Sequence, residues 1–187
     1  MYRAATWRTL HLNVSFDDHD ALATVAREMV LEMTDGNTVL VDGVDVSEAI
    51  RTPEVTDSIH HLADLQAVRD VIVAQQRRIA AQGPTVAEGR DMGTIVFPDA
   101  ACKIYLDASP EERARRRAGD LEAAGHEVNL EELAQSIRDR DERDRNRTVA
   151  PLRPADDAIE VDTTGMTPEE TVDAIIALVE ATRGTAS

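Results

Sequence analysis

Apolar positions in the first third of the chain recur at helical spacing. Residues 1–12 place Ala4, Ala5, Trp7, Leu10 and Leu12 on or near one stripe, which predicts a helix that starts in register at Met1 with no cap or strand before it. A second helix is predicted from about Asp18 to Met33, with an acidic first turn. The next pattern has period two. Thr38–Val41 and Val44–Val46 flank Asp42-Gly43, and both turn residues tolerate φ > 0, so a β-hairpin is predicted there. Pro53 opens a polar helix, and a longer one spans about Leu65 to Gln82, where Gly83-Pro84 ends it.

Beyond that breaker the pattern alternates. Thr85–Glu88 predicts a short strand running into Gly89-Arg90-Asp91-Met92-Gly93, and Cys102–Leu106 a buried strand. Ser109-Pro110-Glu111-Glu112 is a capping box with proline at the first helical position, and Gly125 closes that helix. A helix from about Leu130, a strand over Ala158–Val161 and a helix capped by Thr167-Pro168-Glu169-Glu170 complete the series. The alternation predicts an α/β fold with a parallel sheet, and the segment 36–83, with its hairpin and polar helices, a lobe inserted into it.

Composition narrows the reading. A length of 187 residues suits one domain, or one domain carrying a lobe, and 42% apolar residues is an ordinary globular share. With one Trp, two Tyr and two Phe, the core must be aliphatic. A net charge of −16 argues against nucleic acid or an acidic membrane as a partner of the whole surface. Cys102 sits in an apolar run and reads as a core position rather than a nucleophile. The five histidines show no metal-ligand spacing, and no apolar span suits a membrane helix or signal peptide. The expectation is a soluble, cytoplasmic protein without a structural metal.

Of the 20 basic residues Lys103 is the only lysine, and arginine is the side chain suited to planar, bidentate phosphate recognition. The run from Arg138 to Arg147 alternates guanidinium and carboxylate groups, and Arg140, Asp144 and Arg147 fall at i, i+4 and i+7 on one helix face. Such a face can grip a doubly charged phosphate while a carboxylate reads a sugar hydroxyl. It can equally be a solvated helix laced with ion pairs. Gly89–Gly93 follows a strand, where α/β sheets place ligands, and is readable as a site or as a tight turn with an ion pair. Arg3, Arg51 and Arg69 stand alone on three predicted helices, and Arg113, Arg115, Arg116 and Arg117 read as a solvated face.

Gly89-Arg90-Asp91-Met92-Gly93-Thr94-Ile95-Val96-Phe97-Pro98-Asp99-Ala100 resembles the signature of the bacterial cytidylate kinase family. Lys103–Arg113 and Arg140–Leu152 follow at the family's spacing, and Gly43–Val55 is similar to its monophosphate lobe, so the resemblance runs over essentially all 187 residues. It implies the P-loop nucleoside monophosphate kinase fold: core helices over 1–35, a monophosphate-binding insert over 36–83, and a core α/β region over 84–187 with a helical lid at about 113–150. It implies phosphoryl transfer from ATP, with Mg²⁺, to CMP or dCMP by a cytoplasmic enzyme that is a monomer and binds no nucleic acid or membrane. Matched position by position, Asp91 and Arg69 would read cytosine, Arg3, Arg90 and Arg147 would hold the CMP phosphate, and Arg140 and Asp144 would face the sugar and the lid. His60, with Ser58 before it, departs from the small hydroxyl residue that the pattern has in the cytosine pocket.

The family pattern begins with a strand and a Gly-x-x-x-x-Gly-Lys-[Ser/Thr] phosphate loop, which these residues do not contain. Met1-Tyr2-Arg3-Ala4 matches an internal point of the pattern, so the resemblance implies that roughly 35 to 40 residues of strand, loop and helix are absent from the start. Two expectations follow. The sheet should show unpaired ladder groups between Thr85–Glu88 and Cys102–Leu106, with poor folding as a result, and the chain is a cytidylate kinase of doubtful activity or an inactive CMP-binding fragment. A rival reading sets the Arg138–Arg147 helix on RNA, against which stand the net charge of −16 and the absence of interleaved aromatics.

Overall fold

Small side chains, not large ones, make the buried face of the first helix, α1 (Tyr2–His11). Ala4, Ala5, Thr6 and Thr9 are buried, while Trp7 is half-buried and Leu12 exposed, so the inward stripe lies beside the one the sequence suggests. The two threonines fit because each Oγ1 donates to the carbonyl four residues back, Tyr2 and Ala5 respectively. Against this face pack α2 (His19–Glu28) and α3 (Pro53–Ala63), α4 (Gln66–Ala80) packs on α2 and α3, and Leu22, Leu62, Val68 and Ile72 are fully enclosed. The computed structural model describes residues 1–34, 38–123 and 125–185, in two units, Met1–Val86 and Ala87–Ser187. The boundary at Gly36 expected for the inserted lobe lies outside the described residues.

In the first unit the helix expected over 18–33 ends early. Asp18 caps α2 by accepting from the Ala21 N–H, but the backbone turns extended at Met29 and β1 (Leu31–Met33) follows. There β1 pairs antiparallel with β2 (Val39–Val41), and this ladder overrides local helix preference. The hairpin to β3 (Val44–Asp45) is as expected, with Asp42 and Gly43 at φ 51° and 81°. Asp42 also fastens the turn, accepting from Arg8 Nε at 2.6 Å and the Val30 N–H at 2.9 Å.

The second unit carries a parallel pair, β4 (Ile104–Asp107) with β5 (Ile159–Asp162), in register from Ile104↔Ile159 to Asp107↔Asp162. Ser109 caps α5 (Pro110–Ala123) through the Glu112 N–H, and Gly125 follows at φ 85°. Asn129 caps α6 (Leu130–Arg145), and α7 (Pro168–Thr185) follows β5. Thr85–Glu88 is not a strand. Val86 is fully exposed, and a lone extended segment gains no ladder bonds to hold it. Among the described residues no helix is long and apolar enough to cross a membrane.

Candidate functional site

Each unit holds part of the residue set singled out from the sequence. In the first, Arg3 follows the N-cap of α1, and its Nη1 donates to the Ile50 carbonyl at 2.9 Å and to Thr56 Oγ1 at 2.8 Å. Arg69 lies on α4 and is buried at 4% exposure, unusual for an arginine. Its Nη1 donates to the Ala63 carbonyl at the end of α3, and its guanidinium carbon stands 5.9 Å from the Tyr2 ring centroid, within cation–π reach. His60 bonds through Nδ1 to the Asp57 carbonyl and lies 4.0 Å from the His61 ring, which stacks on Phe16.

The second unit gathers Arg90, Arg140, Asp144 and Arg147. Asp144 is 2% exposed near the end of α6. Arg90 Nη1 pairs with its Oδ2, Arg147 Nη2 with its Oδ1 at 2.8 Å, and Arg140 Nε reaches to 4.0 Å of Oδ2. The placement follows from the local chain. Arg140 is one helical turn before Asp144, while Arg147 lies just past the C-cap Asn146, where the backbone folds back until Leu152 N–H donates to the Asp144 carbonyl. Arg90 precedes a π-helical turn, Met92–Val96, formed by i→i+5 bonds from Val96 N–H to Asp91 O and from Phe97 N–H to Met92 O. Asp91, buried, starts that turn. Arg90 therefore pairs across to α6.

Three guanidinium groups address one carboxylate. The acidity of Arg90 reflects it: burial, then repulsion from Arg140, with Arg147 and Arg113 adding to it, pulls its pKa down to about 10, against a smaller upward pull from Asp141. Arg140 is lowered as well, by burial first and then by Arg147, although its side chain is 60% exposed and solvent screens part of the effect. At about 10, Arg90 stays charged at neutral pH. A doubly negative phosphate fits such a cluster, because it accepts from the fork-shaped donors.

Two residues of the same neighbourhood were not evident from the sequence. Arg113, which reads as part of a solvated face, donates through Nε to the Ala108 carbonyl at 3.0 Å and through Nη2 to Asp141 at 2.5 Å. Asp141 is buried, and its pairing raises the pKa of Arg113. A signal was present. The inward face of α6 runs Ala134, Ile137, Asp141, Asp144 at helical spacing, so carboxylates occupy positions where the stripe calls for apolar residues. Arg116, though exposed, also makes a tertiary bond, its Nη2 donating to the Thr163 carbonyl at 2.6 Å.

The lone lysine is committed elsewhere. Lys103 Nζ pairs with Asp157 at 2.7 Å and donates to the Pro98 carbonyl, and its side chain is 8% exposed. Among the described residues no group of three or more His, Cys, Asp or Glu could hold a metal ion.

The cytidylate kinase family model matches residues 1–181. The cytidylate kinase of Desulforamulus reducens is 44% identical over 182 residues, covering 96% of this chain and 82% of its own length. That of Rhodopirellula baltica is 48% identical over 179 residues, covering 96% and 78%, and that of Aeromonas salmonicida 43% identical over 190 residues, covering 100% and 83%. The chain belongs to the cytidylate kinase family, a family of nucleotide kinases, and its α/β architecture with a small parallel sheet is consistent with the nucleoside monophosphate kinase fold.

Proposed function

We propose that this family member binds CMP or dCMP as acceptor for the γ-phosphoryl group of ATP, giving CDP or dCDP in the cytoplasm, as a monomer that requires no nucleic acid or membrane. The observation that carries this reading is the convergence of three guanidinium groups on the buried Asp144 carboxylate. In it, Arg90 and Arg147 hold the acceptor's phosphate and Arg140 adds its charge, while Asp144 fixes the three guanidinium groups and faces the sugar. Asp91 is an acceptor suited to cytosine's exocyclic amine, and in the first unit Arg3 is a donor suited to a phosphate and Arg69 one suited to the ring carbonyl. Residues 36–83 form the monophosphate lobe and about 113–150 the lid, with core segments at 1–35 and 84–187.

Phosphoryl transfer needs positioning and charge neutralisation more than covalent help from the protein, and fixed arginines supply both. A lid carrying Arg140, Asp144 and Arg147 would also keep water, a competing acceptor, away from the transferred group. The described residues do not fit a Mg²⁺ ion held by a protein cluster. Mg²⁺ commonly rides on substrate phosphates with one or two carboxylates, and no step here runs through it. One observation favours a second reading, CMP binding without turnover: the only lysine of these 187 residues is engaged by Asp157.

The test is calorimetric titration with CMP, UMP and cytidine beside a coupled assay of ADP formation. CMP should bind well ahead of cytidine, and Arg147→Ala should weaken CMP about tenfold or more, the size of a lost charge-assisted contact, with little effect on cytidine. Equal affinity for CMP and cytidine would reject the phosphate site. ADP formation distinguishes the kinase from the binding-only reading.

A further inference from the structure

The run 139–144 contains four carboxylates, of which only Asp141 and Asp144 are buried, at 5% and 2% exposure. Asp144 is the centre of the arginine cluster. Asp141, one turn earlier on the same face of α6, is taken by Arg113 of α5. One turn from Asp144 on the same face of α6, it is a competing counter-ion for Arg90 and Arg140, whose charged forms it favours.

Arg113 is well placed to hold it away. The guanidinium fork divides its bonds, Nε to the Ala108 carbonyl just beyond β4 and Nη2 to Asp141, so the position of α6 is referred to the end of a core strand. The helix that carries the fork is itself anchored. Arg116 donates to the carbonyl and Oγ1 of Thr163 at the end of β5, and the buried Glu112 pairs with Arg115 and Arg116. A lysine could not make both of the separated bonds of Arg113, because its ammonium is a single point on a flexible stem.

We propose that Arg113 is a positioning residue: by keeping the Asp141 carboxylate occupied it leaves Arg90 and Arg140 to the phosphate of the nucleoside monophosphate and sets α6 at the distance the cluster requires. The proposal rests on the phosphate-site reading above. Without Arg113, a buried carboxylate would be left unpaired, a costly state that is relieved by turning to the nearest cations, Arg90 and Arg140. The site would then be filled by the protein's own anion.

The full chain and the variants Arg113→Gln, Arg113→Lys, Asp141→Asn and Arg113→Gln/Asp141→Asn would be titrated with CMP, cytidine and inorganic phosphate, with amide exchange of α6 recorded for each. Arg113→Gln should lose about tenfold in affinity for CMP and for phosphate, and none for cytidine, the scale of one competing charge beside the site. Arg113→Lys should recover only part of this, and Asp141→Asn should bind at least as tightly as the parent. The double variant, lacking the competing carboxylate, should return to within about twofold of the parent even if α6 exchanges faster, a rescue that a purely structural tie between α5 and α6 would not give. A double variant as weak as Arg113→Gln, or an Arg113→Gln that binds like the parent, overturns the proposal. So does a parent that binds no phosphate. If the parent prefers CMP no more than cytidine yet binds inorganic phosphate in an Arg113-dependent way, the nucleotide reading fails and the positioning role stands.

Discussion

Asp144 shows how much can rest on one side chain. A carboxylate at 2% exposure is held there by Arg90 and Arg147, with Arg140 at the rim. Removing it leaves the guanidinium groups facing one another in a partly desolvated space, so Asp144→Ala should destabilise the second unit by about 3 kcal/mol or more, visible as a lower urea midpoint. Addition of a millimolar phosphate ester should restore part of the loss, because the anion replaces the missing charge. An unchanged midpoint would mean that solvent already compensates these arginines. The grouping of Arg140, Asp144 and Arg147 was legible as a spacing on one helix face, since that requires only the helical period. Arg113 was not. Its neighbours Arg115, Arg116 and Arg117 make the segment resemble a solvated face, and only the packing of α5 on α6 identifies which arginine turns inward.

At the level of elements, what a turn or cap dictates through its own residues was readable, and what the pairing of one segment with another dictates was not. Asp42-Gly43, Ser109-Pro110-Glu111-Glu112 and Thr167-Pro168-Glu169-Glu170 each specify a turn or a helix start through neighbouring residues, and each appears where expected. The extended segment Leu31–Met33 follows helix-like sequence and exists because β2 lies beside it, while Thr85–Glu88 lacks such a partner and stays irregular. The helix α3 supplies two checks. Leu62 is wholly buried in the cluster that also takes residues from α1, α2 and α4, so Leu62→Ala should cost about 2–5 kcal/mol in denaturant unfolding, enough to unfold a marginal unit. On the same helix, burial first and then repulsion from His60 hold His61 below the usual 6.5, although Asp17 and Asp64 oppose this. A depressed folded value means that the unfolded chain takes up the proton first, so stability is full above 6.5 and declines as pH falls through the folded value. Proton-resonance titration should place His61 below 6.5, and His60→Gln should move it upward. A His61 titrating at or above 6.5 would remove this acid sensitivity.

On the scale of the whole chain, the net charge of −16 and the local gathering of arginines pull in opposite directions. Negative groups spread over the surface repel one another across distances comparable to the Debye length, about 30 Å at 0.01 M salt and about 8 Å at 0.15 M. Raising sodium chloride from 10 to about 300 mM should therefore raise Tm, as screening removes self-repulsion from the folded state before it touches the short ion pairs inside. Anion affinity should move the other way. The same salt weakens the attraction of Arg90, Arg140 and Arg147 for a phosphate dianion, and chloride competes for the donors, so CMP affinity should fall while cytidine affinity stays level. The two trends have a common variable but separate origins. A Tm that falls with salt would mean that attractive pairs such as Arg113–Asp141 and Lys103–Asp157 outweigh the surface repulsion. A CMP affinity indifferent to salt would mean that the nucleotide is held by its base and sugar rather than by the arginine cluster.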